Sequence, residues 1–287
     1  MTVVGVLGGS GIYQLEGLSA ARWEAVECAY GTPSDELLRG ELGGLEYVFL
    51  PRHGRGHTLS PGAIDYRANI EALKRVGVTD LISLSACGSL SESLDPGSLV
   101  LVDQYVDRTC GRARTFFDTG VVAHVSLADP VCSRLHDALE RAAEAAEISL
   151  VRGGTYLAME GPQFSCRAES ELYRSWGCDV IGMTNMPEAR LAREAELCYA
   201  SVAMVTDYDC WHPAESDVQV KDIVAVMNDN AERGRKLVAG LAAALGQRPT
   251  PCPQGCDRAL DQAVITAPAA RDPAALRRLA AVAGRVL

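Results

Sequence analysis

Short β-branched and apolar runs alternate with segments of helical period along most of this chain. Val3 to Leu7 is a strand candidate, and so is Glu46 to Leu50, which runs into Pro51-Arg52-His53-Gly54. Residues 63–76 read as a helix, because Ile64, Ala68, Ile70, Leu73 and Val76 fall on one side. Thr79 to Leu84 and Ser98 to Val102 read as strands, the first followed by the small-residue stretch Ser85-Ala86-Cys87-Gly88-Ser89. Asp129-Pro130 predicts a helix start, a capping carboxylate and then proline at the first helical position. Thr155 to Met159, Asp179 to Met183 and Leu197 to Val205 are further strands. Helices are expected near 167–176, after Pro187 and over 218–245, where Gly246 suits the end.

This alternation predicts one α/β domain over residues 1–245. Residues 246–255 (GQRPTPCPQG) read as a linker or surface strap, and Asp272-Pro273 starts a last short helix. The whole segment 246–287 is expected to be an extension packing on the same domain or on a neighbouring subunit.

Composition narrows the function. A chain of 287 residues buries about three quarters of its unfolded surface and needs no staple to hold a core. A net charge of −10 disfavours nucleic-acid or membrane binding through bulk charge. An anionic small molecule then requires basic groups gathered locally. No run approaches the roughly 18 apolar residues of a membrane span. Met1-Thr2-Val3-Val4-Gly5 has neither the basic start nor the apolar run of a signal peptide, so the expected location is cytoplasmic. The ten cysteines are scattered and are expected to be mostly small buried apolar residues.

Five stretches can carry chemistry. Gly8-Gly9-Ser10-Gly11 follows a strand; glycines let backbone N–H groups approach an anion, and Ser10 adds a hydroxyl. Its spacing is neither the dinucleotide fingerprint nor a Walker loop, and a plain tight turn is the alternative. Arg52-His53-Gly54-Arg55-Gly56-His57 gathers cations at a strand end, where open α/β folds place ligands and where an arginine fork matches phosphate. A metal there is disfavoured, because the glycines break any helix that would align His53 with His57. Ser85 to Ser89 permits another close approach; Cys87 has no identifiable base and reads as a buried inert thiol. Phe164 offers a face to a base, and Met183-Thr184 ends a strand before a helix. Asp207 and Asp209 follow an apolar strand, on one side of the chain by alternation, and mutual repulsion raises one of their pKa values.

In this order the motifs resemble the purine nucleoside phosphorylase family, and within it the members that act on S-methyl-5′-thioadenosine. The resemblance covers about residues 3–245. It rests on Gly8-Gly9-Ser10-Gly11-Ile12-Tyr13, Arg52-His53-Gly54-Arg55, Tyr66-Arg67-Ala68-Asn69, Ala86-Cys87-Gly88-Ser89-Leu90, Asp103-Gln104 with Asp107-Arg108-Thr109, Glu160-Gly161-Pro162, Gly182-Met183-Thr184 and Thr206-Asp207-Tyr208-Asp209-Cys210-Trp211. It implies a single-domain α/β fold with a mixed, twisted sheet or distorted barrel flanked by helices. It also implies a homotrimer, or a dimer of trimers, with sites near subunit interfaces.

The implied reaction is phosphorolysis to adenine and 5-methylthioribose 1-phosphate, serving purine and methionine salvage. Inorganic phosphate is a co-substrate, and no cofactor or metal is required. The resemblance assigns Ser10, Arg52, His53, Ser85, Ala86 and Thr184 to phosphate. It assigns Ala86, Cys87, Phe164, Met183, Asp207 and Asp209 to the nucleoside, with the two aspartates catalytic. His57, His124, Val218, Val220, Ile223 and Val224 are expected to line the 5′ pocket. Another 5′-deoxyadenosine, such as the 5′-fluoro or 5′-chloro compound, is the alternative substrate. A 6-oxopurine nucleoside is the other, opposed by Asp207. Asp65 departs from the family's common asparagine and would add charge near the phosphate if it faced inward. Cys252 and Cys256 resemble a cysteine pair of some microbial relatives and are expected as free thiols.

Overall fold

The structure is a computed structural model and describes residues 2–9, 11–213 and 220–287, the side chains of 220–225 excepted. Strand β1 (Val3–Gly8) is buried along its whole length. Its side chains alternate between two cores, Val3 and Leu7 in one, Val4 and Val6 in the other. A strand apolar on both faces belongs inside a sheet covered on both sides. It lies parallel between β4 (Leu45–Pro51) and β5 (Asp80–Ser89). The long β5 also pairs in parallel with β11 (Cys198–Asp207), and its last two residues pair antiparallel with β10 (Val180–Gly182). The sheet therefore branches at β5. Beyond β4 lie β3 (Leu37–Leu42) and β2 (Ser19–Glu24); beyond β10 lie β9 (Thr155–Ala158) and β7 (Gln104–Asp107). The third branch continues from β11 to β6 (Leu99–Val102) and β8 (Leu150–Arg152), giving eleven mixed strands among the described residues.

Helices close both faces. On one, α1 (Tyr66–Arg75) sets Ile70 and Leu73 in the same core as Leu279 and Val282 of α6 (Pro273–Ala283). On the other, α2 (Ser133–Ala145) and α5 (Val220–Ala244) contribute Leu135, Leu139, Leu237 and Leu241. Helices α3 (Arg167–Ser175) and α4 (Asn185–Glu194) follow the segments on either side of β10. The tail joins both cores, through Cys252 and Cys256 in one and Leu260 and Ala263 in the other. Asp272 caps α6 by accepting from the Ala274 and Ala275 N–H groups.

Three local readings differ from the sequence expectation. Ser85 to Ser89 continues β5 rather than following a strand that ends at Leu84, because small residues let β11 and β10 approach together. Helix α2 starts at Ser133, not behind Pro130: the Cys132 N–H bonds Tyr199 O at 2.7 Å, keeping the preceding chain extended along β11. Strand β2 is largely exposed, and its short mixed run SAARWE carries too little apolar pattern to reveal it.

Candidate active site

Because β1, β4, β5 and β11 run in parallel, their C-terminal ends share one edge of the sheet, the edge where α/β folds place ligands. They deliver Gly9, Arg52-His53, Ser85 to Gly88, and Thr206-Asp207 there; β10 adds Gly182, Met183 and Thr184. These residues line one cavity of about 620 Å³, together with His57, Phe164, Asp209 and Met227. That size suits a nucleoside-sized ligand. Eleven residues proposed from sequence thus meet: Arg52, His53, His57, Ser85, Ala86, Cys87, Phe164, Met183, Thr184, Asp207 and Asp209.

His124 does not join them within one chain. It lines a separate cavity of about 600 Å³ with Arg193 and Arg258. The tail holds it there: its N–H bonds Ala263 O at 2.9 Å, and Ala123 bridges Val264. Ser10 and Val218 lie outside the described residues, as do the side chains of Val220, Ile223 and Val224. Farther along α5, Met227, Asn228 and Ala231 line the cavity.

Arg52 is less available than its position suggests. It is buried and its fork grips Glu188, Nε to Oε2 at 2.8 Å and Nη2 to Oε1 at 3.3 Å. Nη1 donates to Leu84 O, and Nη2 to Ser83 Oγ and Leu7 O. Among the described residues this leaves one Nη1–H without a protein acceptor. The fork that the sequence offers to an anion is thus engaged by a buried carboxylate, which matches its charge.

His53 Nδ1 lies 2.9 Å from Leu59 O. A carbonyl only accepts, so Nδ1 carries the proton and Nε2 is left as the acceptor. Burial, aided by Arg52 and His57, pushes the ring's pKa down to about 4 against the opposing Leu59 hydrogen bond. The His57 ring stacks on it at 4.3 Å. His53 is accordingly expected to stay neutral from pH 8 down to pH 5. Nitrogen-15 NMR of the ring checks this, and titration near the unperturbed value of about 6.5 would refute it. Beside it, the Ser85 and Thr184 hydroxyls lie 3.0 Å apart, linking β5 to the residue preceding α4. Hydroxyls and one guanidinium N–H, rather than free positive charge, make up this donor set.

In the same cavity, Asp207 and Asp209 form a connected pair. Asp207 Oδ1 accepts from the Asp209 N–H at 2.8 Å, and Oδ2 from Thr206 Oγ1 at 2.7 Å. Strand alternation does not produce this: β11 bulges after Val205, and Asp209 turns back at φ 53°. Burial raises the Asp209 carboxyl above its usual range. Gly88 faces the pair because nothing larger fits; a Cβ there would lie 2.9 Å from Asp207 Oδ1 and 3.2 Å from Ile181. Cys87 is buried, and burial with the Asp207 charge raises its thiol well above the ordinary range, as an inert thiol requires. Phe164 is 49% exposed, leaving its ring open to a stacking partner. Trp211 is scaffold: buried, its indole N–H donates to Ser89 O at 2.8 Å.

Arg112 escaped the sequence reading. Its side chain is buried and donates to Tyr66 Oη, Met183 O, Met186 O and Glu160 O. It pins the Met183-Thr184 segment to α1 and to the Glu160 loop. Its acceptors are mostly distant backbone carbonyls, which leave no motif. Asp65 caps α1 by accepting from the Ala68 N–H at 3.1 Å, so its charge serves the helix terminus.

Hydroxyls and a charge-compensated guanidinium, in one cavity with a carboxylate pair and an open aromatic ring, can accommodate an oxyanion and a heterocyclic base. The chain belongs to the phosphorylase superfamily, whose family model matches residues 3–243. Among its relatives, an S-methyl-5′-thioadenosine phosphorylase of Cereibacter sphaeroides is 61% identical over 100% of this chain and 99% of its own. That of Rhodospirillum rubrum is 58% identical, covering 99% and 97%. A methylthioadenosine phosphorylase from an Antarctic soil metagenomic library superposes with a TM-score of 0.92 at 44% identity, covering 98% of each chain. The Schistosoma mansoni methylthioadenosine phosphorylase in complex with adenine gives 0.80 at 36% identity, covering 86% and 92%.

Proposed function

We propose that this protein is a purine nucleoside phosphorylase-type pentosyltransferase. It cleaves S-methyl-5′-thioadenosine with inorganic phosphate, giving adenine and 5-methylthioribose 1-phosphate. The observation that carries this is the meeting of Arg52, His53, Ser85 and Thr184 with Asp207 and Asp209 in one cavity.

The chemistry follows from that placement. Monohydrogen phosphate carries one O–H and three acceptor oxygens. The neutral His53 Nε2 accepts from the O–H, while Ser85, Thr184 and the remaining Arg52 N–H donate to the oxygens. Ser10 and the Ala86 backbone complete the cradle in this reading. The phosphate keeps its charge, facing C1′, where positive charge develops as the glycosidic bond breaks. Met183 holds the ribose, Phe164 stacks on the purine, and the Ala86-Cys87 backbone borders it. Asp207 in its protonated form donates to N7 of the leaving base; its other oxygen accepts from a 6-amino group. Asp209 fixes Asp207 through its N–H. Val218, Val220, Ile223, Val224 and His57 surround an apolar 5′ substituent.

The same reading makes the enzyme a cytoplasmic homotrimer or dimer of trimers feeding purine and methionine salvage. Within its own chain His124 lines a separate cavity, so this reading assigns its 5′ role to a neighbouring copy. Among the described residues no helix is long and apolar enough to cross a membrane.

Release of the free base (adenine, or hypoxanthine from inosine), measured with and without phosphate, tests the reaction. S-methyl-5′-thioadenosine, 5′-deoxy-5′-fluoroadenosine, adenosine and inosine serve as substrates, with light scattering run in parallel. Phosphate-dependent turnover led by the methylthio compound, on a trimeric particle, is expected. A lead by the fluoro compound would replace the substrate, a monomer would remove His124, and no phosphate dependence would overturn the reaction.

A further inference from the structure

We propose that Cys132, Cys198, Cys252 and Cys256 form a tetrathiolate site for a thiophilic divalent metal ion, zinc by its chemistry, which staples the 246–287 tail to the α/β core. The sequence reading assigns no metal, having weighed only His53 and His57; this cluster lies elsewhere. All four residues are buried, and their Sγ atoms all lie within 4.8 Å of one another. Cys132 Sγ and Cys252 Sγ are 3.8 Å apart. A zinc ion about 2.3 Å from each of four tetrahedral sulfurs requires sulfur–sulfur edges of about 3.8 Å.

The four sulfurs converge from three separate places. Cys132 precedes α2, Cys198 opens β11, and Cys252 and Cys256 flank one turn of the tail. That turn is closed by the Gly255 N–H on Cys252 O at 2.8 Å, with Gly255 at φ 67°. It brings the two tail sulfurs to the same pair on the core.

Two further features favour thiolates over packed thiols. Arg248 Nη2 lies 3.6 Å from Cys198 Sγ in a nearly buried position, although the guanidinium also serves Asp80 and Asp257. Cys132 is the N-cap of the thirteen-residue α2, where the helix terminus favours negative charge. A disulfide would require one close partner for each sulfur, at about 2.05 Å; here each sulfur has three neighbours. Metal binding displaces the remaining thiol protons to solvent, so occupancy weakens in acid.

The test uses the full chain, grown with zinc and purified under reducing conditions without chelator. Elemental analysis is expected to give about one zinc per chain, as four thiolates bind one ion. Exchange for cobalt(II) is expected to give sulfur-to-metal charge-transfer bands and the visible absorption of a tetrahedral thiolate site. The Cys252→Ser, Cys256→Ser double variant, remote from the active-site cavity, is expected to lose both signals. The wild-type cobalt spectrum decides the matter if that variant does not fold. Absence of metal after reconstitution with zinc under reducing conditions would overturn the proposal. So would cysteines found paired as disulfides in the native chain by alkylation and intact mass, or unchanged metal content in the double variant.

Discussion

Arg52→Ala is expected to lower the free energy of unfolding by about 3–5 kcal/mol, the usual cost of leaving one member of a buried ion pair alone. Glu188 would keep its Tyr199 hydroxyl, at 2.9 Å, but lose both guanidinium contacts inside the fold. Leu7 O, Leu84 O and Ser83 would lose a donor as well. Urea unfolding measures the effect, and a midpoint equal to wild type would show that the pair does not hold the strand ends. Phosphate affinity should fall too, by the smaller share of one N–H. Glu188→Gln separates the two roles. It removes the countercharge while keeping the shape, so the phosphate KM should fall even as stability drops. A raised phosphate KM in Glu188→Gln would mean that Glu188 orients Arg52 rather than neutralising it.

Asp207→Asn is expected to reduce turnover on S-methyl-5′-thioadenosine by about 10²–10⁴-fold, the range for loss of a general acid, and to shift preference toward 6-oxopurines. The structure shows why the fold should tolerate it. The amide oxygen can keep the Asp209 N–H, and Thr206 Oγ1 has a second acceptor in Cys87 O at 3.1 Å. An amide N–H₂ then donates where Oδ2 accepted, which suits a 6-oxo group and repels a 6-amino group. Steady-state kinetics on the methylthio compound and inosine check this. Unchanged ratios would remove Asp207 from base recognition.

Much of the site was legible because its chemistry is local. The small residues of β5, the Arg52-His53 dipeptide at the end of β4 and the aspartates after β11 each stand beside the strand that carries them. The parallel order of those strands then brings their ends together. The strands themselves were legible where burial on both faces produced continuous apolar runs, as in β1. The exposed edge strand β2 lacks that signature, and the start of α2 was displaced by a hydrogen bond from Cys132 to Tyr199 that no capping rule anticipates.

The sequence by itself determined the α/β alternation, the order of the ligand-facing motifs and the family resemblance that they carry. Tertiary structure alone decided which of those groups are free to act. Glu188 engages Arg52 from 136 positions away. Leu59 O fixes the proton of His53, Arg112 ties Tyr66, Glu160 and the Met183–Met186 segment together, and the tail holds His124 at a separate cavity. Four cysteines that look scattered along the chain meet in one cluster. The physical reason is common to all of these. Residue type and period set what a side chain can do, but charge compensation, tautomer and coordination depend on neighbours that only long-range packing supplies.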